Sequence, residues 1–103
     1  MLLYSSYSIQ NLIKVDQVID LLKRYPDFQI EITGHTDDIG LKQNNMILSI
    51  DRAQACADYM RAKGIEDGRM TIIGKGELNP LGTNKTDDGR RKNRRVEFKV
   101  IGQ

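Results

Sequence analysis

The sequence predicts an α/β fold in which helices pack on a sheet that contains parallel neighbouring strands. Two long segments, around residues 11–25 and 41–63, carry apolar residues at helical spacing. Short segments at residues 28–33 and 96–100 instead alternate between apolar and polar side chains, which is typical of strands. Strands that alternate with helices along a chain indicate βαβ units, and these units require parallel pairing.

One small domain accounts for the 103 residues, because a second core would be difficult to build at this length. A hydrophobic content of 39% and a charged content of 29% exclude wholesale disorder. No apolar run approaches the ~20 residues that span a bilayer, and the first residues lack the features of a signal peptide. A cytosolic protein and a domain cut from a longer exported protein both fit this composition.

The amino-terminal part of the chain predicts a strand, a helix and a second strand. Residues 2–8 have the pattern of a weak strand that runs into a turn. The helix over residues 11–25 presents one apolar face, formed by Val15, Val18, Ile19 and Leu22. Pro26 ends this helix, because proline cannot continue the helical hydrogen bonding. The strand over residues 28–33 ends at Gly34.

The rest of the chain predicts a helix, a strand, a long loop and a last strand. The helix over residues 41–63 is expected to bury a stripe of Leu48, Ala53, Cys56, Ala57 and Met60. Gly64 stands where a C-terminal cap glycine belongs. A strand over residues 69–73 precedes a loop over residues 74–92, and long ordered loops are often functional. The last strand, residues 96–100, is expected to pair antiparallel with the strand before it.

Three polar clusters are candidates for a functional site. The first is the segment at residues 34–40, directly after a strand. The second is the pair Asn45 and Arg52, which share a helix face because seven residues make nearly two turns. The third is residues 93–95 at the start of the last strand.

The first two clusters predict a pocket of mixed charge. Parallel α/β folds bind ligands at the carboxyl ends of their strands, and Asp37 lies at such an end. A carboxylate there can take an ammonium, and Arg52 can hold a carboxylate through two hydrogen bonds, so a zwitterion would fit. The alternative is that Asp37 only forms a turn and that Arg52 only faces solvent.

Residues 34–40, GHTDDIG, resemble the GHTDxxG motif of OmpA-like C-terminal domains. On the second helix, Asn45, Leu48-Ser49 and Arg52-Ala53 are similar to the family pattern NxxLSxxRA. Further matches follow in family order and spacing: Gly64-Ile65, Arg69, Gly74, Gly76, Pro80, Asn84, Gly89-Arg90 and Asn93-Arg94-Arg95-Val96-Glu97. The resemblance extends over about residues 10–101, which is nearly the whole chain.

The resemblance implies a βαβαβ-type two-layer sandwich, with two helices packed on a mixed sheet. It also implies a non-enzymatic domain that binds the stem peptide of peptidoglycan through diaminopimelate, without a cofactor. In the family, the essential aspartate and arginine fall on Asp37 and Arg52. Asn45 and Arg94 match further ligand-contacting positions, and Thr36 and Ile39 would line the site mainly through backbone or packing.

The resemblance further implies a place in the cell envelope. Residues 1–103 would form a single OmpA-like domain, a fragment of a longer exported protein that is truncated at its first strand. The domain would lie in the periplasm of a Gram-negative bacterium, as a structural protein attached to the outer membrane by a segment absent from this chain. A turn at residues 4–8 normally contributes to the site in this family. Asp38 adds a second carboxylate beside the pocket.

The lone His35 and Cys56 are expected to be structural. His35 would hydrogen-bond between strand and helix, and Cys56 would be a small core residue. One cysteine and one histidine exclude a zinc site of the Cys/His type. The turn at residues 37–43 does not follow the pattern of a calcium loop, so no metal is expected.

The rival prediction is a small nucleic-acid-binding domain that uses the basic segment at residues 89–95. Its binding would depend on Arg91 or Arg95 and not on Asp37. No aromatic residues are interleaved there to stack bases, so nucleic acid is not the expected partner. A hydrolase that cuts the wall is a third possibility, but the sequence lacks a recognisable acid–base or nucleophile pattern.

Overall fold

The computed structural model describes the backbone of residues 3–9 and 12–102 and the side chains of residues 15–102. The elements in chain order are β1 (Leu3–Ile9), α1 (Leu12–Arg24), β2 (Gln29–Gly34), α2 (Lys42–Ala62), β3 (Met70–Gly74), α3 (Asp87–Asn93) and β4 (Val96–Gly102). A single 3-10 turn, Asp67–Arg69, leads into β3. No helix in the described part of the chain is long and apolar enough to cross a bilayer.

The four strands form one mixed sheet in the order β1-β4-β2-β3. The unit β2-α2-β3 is a βαβ crossover with parallel strands, as predicted, and Gly34 lies opposite Gly74 at its end. The expected antiparallel pairing of the last two strands is wrong, because β4 pairs antiparallel with β1 and β2. The position of β4 between β1 and β2 could not be predicted from the order of elements along the chain, since it depends on contacts between distant segments.

The hydrophobic core lies between one face of the sheet and the two long helices. The predicted face of α1 is buried, with Leu22 fully enclosed. The alternating strands point Ile30, Ile32 and Phe98 toward the helices, and each of these is at most 1% exposed. The predicted two-layer sandwich of two helices on a mixed sheet is therefore confirmed.

The buried stripe of α2 differs from the prediction at its amino-terminal half. Its buried residues are Asn45, Ser49, Ala53, Ala57 and Met60, which follow the four-residue and three-residue spacing of one helix face. Leu48 was expected in this stripe, but it is 42% exposed because it lies about 100° around the helix from Ser49. Cys56 was also expected in the buried stripe, but it is only half-buried at the edge of the core, and this partial burial raises the pKa of its thiol.

Two further expectations are corrected by the described backbone. The weak strand expected at residues 2–8 is present as β1, but it pairs with β4 over all seven of its residues, so residues 4–8 do not form the expected turn. The predicted loop at residues 74–92 contains most of α3, which begins where the Thr86 hydroxyl accepts a hydrogen bond from Gly89 N. Local pattern could not reveal α3, because its sequence DDGRRKN has no apolar periodicity. Gly64 does end α2, with the positive φ of 104° predicted for a cap glycine.

Candidate functional site

Four segments meet at the carboxyl ends of the parallel strands. They are the turn after β2, the amino-terminal half of α2, the turn after β3 and the segment before β4. Backbone hydrogen bonds join them, from His35 N to Arg95 O at 2.9 Å and from Thr36 N to Gly76 O at 2.8 Å. All three predicted polar clusters are therefore neighbours in space.

Asp37 and Arg94 form an ion pair at the centre of this region. Arg94 Nη1 donates to Asp37 Oδ2 at 2.8 Å, and Ile39 N donates to Asp37 Oδ1 at 3.0 Å. Burial alone would raise the pKa of Asp37, but these hydrogen bonds and the charges of Arg94 and Arg52 lower it below its ordinary value. The Asp37 carboxylate is therefore ionised at neutral pH. Sequence reasoning included Arg94 in the site but did not anticipate that it is the ion-pair partner of Asp37.

Arg52 lies on α2 beside this ion pair. Its Nη1 donates to the carbonyl oxygen of His35 at 2.9 Å, and the side chain is half-buried. Burial lowers the pKa of the Arg52 guanidinium, as does the charge of Arg94, while Asp37 opposes both. A guanidinium has five N–H donors. Within the described chain, the bond to His35 O is the only hydrogen bond that the Arg52 guanidinium makes. Most of its hydrogen-bonding capacity thus remains available to a ligand.

Asn45 connects the turn after β2 to the turn after β3. The side chain is only 5% exposed. Its Nδ2 donates to Asp37 O at 3.3 Å and to Glu77 Oε1 at 3.4 Å. Both amide hydrogens therefore have acceptors, whereas the Asn45 carbonyl oxygen accepts no hydrogen bond from the part of the chain that the structure describes.

Thr36 and Ile39 support the turn around Asp37. The Thr36 hydroxyl donates to Asp37 O at 2.8 Å, and this side chain is buried. Ile39 contributes its backbone N–H, while its side chain is 63% exposed. The structure thus places the six predicted residues around one site.

Glu77 was missed as a contributor to this region, and Asn93 was included only as part of the third polar cluster. Glu77 follows β3 and accepts a hydrogen bond from Asn45, although nothing near it in the sequence indicates a role. Asn93 is fully buried and holds the loop before α3. Its Oδ1 accepts from Leu81 N and Gly82 N, each at 2.8 Å, so it fixes the segment from which Arg94 extends. The NRR motif contained Asn93, but the motif gave no reason for its burial.

A second cluster of ionisable side chains, formed by His35, Arg95 and Glu97, lies on the sheet face without helices. His35 Nε2 lies 3.1 Å from Glu97 Oε1, and Arg95 pairs with the same carboxylate at 2.6 Å. These residues lie along a groove of about 540 Å³ on the sheet face without helices. Burial, then the charge of Arg95, lowers the pKa of His35, so the ring is neutral at pH 7. The expected hydrogen bonding of the His35 side chain between strand and helix is wrong, because its ring nitrogens make no hydrogen bond with the described residues. Only the His35 backbone joins these elements, through its carbonyl to Arg52 on α2 and its N–H to Arg95 O.

The basic segment offers fewer free charges than its sequence indicates. Arg95 is 4% exposed and paired, so it is closed to a phosphate group. Arg90 forms an ion pair with Asp87 one turn earlier on α3, and Arg91 lies 3.7 Å from Asp88. These contacts disfavour the nucleic-acid prediction, which depended on Arg91 or Arg95.

The sequence and the fold are similar to those of proteins that are named for the cell wall or the outer membrane. Peptidoglycan-binding protein ArfA of Mycobacterium tuberculosis is 42% identical over 86 residues, which are 84% of this chain and 26% of ArfA. Outer membrane protein A of Bordetella avium is 42% identical over 88 residues, which are 85% of this chain and 45% of that protein. The chain thus spans about a quarter to a half of the length of these two relatives.

Two solved structures of envelope proteins have a similar fold. The cell wall anchor of the type VI secretion system from Pseudomonas aeruginosa superposes with a TM-score of 0.80 and 28% identity, covering 97% of this chain and 82% of that one. The peptidoglycan-associated lipoprotein from Burkholderia pseudomallei gives a TM-score of 0.82 and 27% identity, covering 96% and 88%. These names describe binding, membrane and anchoring proteins, in agreement with the non-enzymatic prediction. Because the model of the OmpA family also matches residues 6–94, the chain belongs to the OmpA family.

Proposed function

We propose that this domain binds peptidoglycan non-covalently, through the diaminopimelate of the stem peptide, and so anchors an envelope protein to the cell wall. The observation that carries the proposal is Arg52, a half-buried guanidinium with most of its donors unused beside the ion pair of Asp37 and Arg94. A guanidinium in this state is suited to hold a carboxylate through two parallel hydrogen bonds. The relative ArfA is named for peptidoglycan binding, and this supports the proposal.

The distal end of diaminopimelate carries one ammonium and one carboxylate, and the site offers groups for both. Arg52 would hold the carboxylate. Asp37 would face the ammonium, because a carboxylate has about four acceptor positions and the hydrogen bonds from Ile39 and Arg94 occupy two. Binding would then need no covalent step, cofactor or metal.

The parent protein is proposed to lie in the periplasm of a Gram-negative bacterium, attached to the outer membrane by a segment outside this chain. The names of the relatives support a place at the envelope, since they include an outer membrane protein and a peptidoglycan-associated lipoprotein. A wall-binding domain carried on such a protein would connect membrane and wall mechanically.

The proposal is tested by NMR titration of the labelled domain with a soluble muropeptide that contains diaminopimelate. Amide shifts are expected around Asp37, Asn45, Arg52 and Arg94. They should disappear in Arg52→Ala, which removes the carboxylate partner while the domain stays folded. Arg91→Ala is the matched control, because it removes an exposed arginine on α3. Unchanged binding by Arg52→Ala, or loss with Arg91→Ala instead, would refute the proposed site.

A further inference from the structure

The charges of the proposed pocket do not balance when only the predicted residues are counted. Arg52 and Arg94 carry two positive charges, and Asp37 carries one negative charge that already pairs with Arg94. A ligand end that bears both an ammonium and a carboxylate has no net charge. A pocket with an excess positive charge would favour the carboxylate and repel the ammonium.

Glu77 supplies the missing negative charge. Its Oε1 accepts a hydrogen bond from Asn45 Nδ2 at 3.4 Å, and the same nitrogen donates to Asp37 O at 3.3 Å. Glu77 therefore lies on the Asp37 side of the pocket. Its carboxylate has no ion pair with any cation among the described residues. The side chain is partly exposed, so a ligand can reach it.

The position of Glu77 is fixed by the turn that precedes it. Gly76 has a φ of 55°, a conformation that glycine adopts without strain. Its N–H donates to the Ser49 hydroxyl at 2.9 Å, and its carbonyl accepts from Thr36 N at 2.8 Å. These two bonds tie the turn to α2 and to the Asp37 turn, so the backbone that carries Glu77 is held at a defined place.

We propose that Glu77 is a specificity-determining residue that receives the ammonium of the ligand. This inference rests on the proposed function and extends it. Asp37 pairs with Arg94 and turns its remaining acceptor positions toward the ammonium, and Glu77 adds a second carboxylate that is not paired with a cation among the described residues. Arg52, Arg94, Asp37 and Glu77 then carry two positive and two negative charges, which matches a zwitterionic end. The exposed Asp38 lies beside this set and is not counted in it. A stem peptide without the distal ammonium gains nothing from Glu77.

The competing explanation gives Glu77 a purely positioning role. In that case it only orients the Asn45 amide, and its charge is irrelevant. Glu77→Gln separates the two, because glutamine keeps an oxygen that can accept from Asn45 but removes the charge. Glu77→Ala removes both. A charge role predicts that the two variants behave alike, whereas a positioning role predicts that Glu77→Gln behaves like the wild type.

The experiment measures dissociation constants by calorimetry for two muropeptides. One carries a diaminopimelate stem, and the other carries 2-aminopimelate, which retains the distal carboxylate but lacks the ammonium. Glu77→Gln is expected to weaken binding of the diaminopimelate muropeptide about tenfold, the effect of one hydrogen bond to a charged group. Binding of the 2-aminopimelate muropeptide should not weaken. Glu66→Gln, at an exposed position remote from the site, is the control and should change neither.

The outcomes separate this inference from the function on which it rests. Wild-type affinity for diaminopimelate in Glu77→Gln would overturn the role of Glu77 while leaving the proposed function intact. Equal weakening of both muropeptides would also overturn it, since the ammonium would not be the group recognised. If the wild-type domain binds neither muropeptide, the proposed function itself fails.

Discussion

Gly34 makes the contact that brings helix α2 close to the sheet, and replacing it tests how the site is built. A Cβ atom at this position would lie 1.8 Å from Ser49 O and 2.8 Å from Ser49 C. Real Cβ atoms essentially never approach closer than 3.0 Å, so helix and strand must separate by about 1.2 Å, the difference between 3.0 and 1.8. The obstacle is helix backbone, which cannot rotate away as a side chain can.

We therefore expect Gly34→Ala to lower the free energy of unfolding by about 3 kcal/mol, the upper part of the range for overpacked cores. For a domain of this size the melting temperature should fall by about 12 °C or more. Urea denaturation and calorimetry measure both quantities. Because α2 carries Asn45 and Arg52, binding of the diaminopimelate muropeptide should weaken as well.

Gly68→Ala is the matched control, since no atom lies within 4 Å of a Cβ atom at that position. It should change the free energy of unfolding by less than about 0.5 kcal/mol, as surface substitutions usually do. A Gly34→Ala protein that is as stable as Gly68→Ala would refute the reasoning. The close approach of helix and sheet would then not constrain the domain.

Three further predictions concern single side chains. Asn93→Ala should lower the free energy of unfolding, measured by urea denaturation, by about 2–4 kcal/mol, because four hydrogen bonds to the loop before α3 are lost and buried backbone groups stay unpaired. Wild-type hydrogen-exchange protection of that loop in the variant would contradict this. The pKa of His35 is lowered in the folded state, so its contribution to stability is complete above the ordinary value of 6.5 and is lost as the pH falls toward the folded value. His35→Gln should reduce the slope of the free energy of unfolding against pH below 6.5. An unchanged slope would exclude His35 as the source of this pH dependence. Asp37→Asn should lower the free energy of unfolding by about 1 kcal/mol at pH 7, a small value because Arg94 is partly exposed. The stability difference between wild type and variant, measured by urea denaturation, should vanish below the lowered pKa of Asp37. A difference that persists in acid would show that the ion pair is not its cause.

The elements with strong local periodicity could be predicted from the sequence. The apolar face of α1 and the alternation of β2 and β4 are set by residues a few positions apart, and the structure buries those residues as predicted. The end of α2 at Gly64 was also predictable, because the backbone there needs a positive φ. The family motifs grouped six residues that the structure brings to one region of the fold, since each motif is a short local pattern.

The pairing of charges could not be predicted, because it depends on the order of strands in the sheet. Asp37 and Arg94 are 57 residues apart, and they meet only because β4 lies beside β2. Glu77 reaches Asn45 across 32 residues for a related reason, since β3 is parallel to β2 and delivers its following turn to the same edge. Local sequence therefore specified the two long helices, the strands and the grouping of six predicted site residues, but neither α3 nor Glu77. Contacts between distant segments determined the partner of each site residue, because the sheet topology decides which charged or polar group lies within hydrogen-bond distance of it.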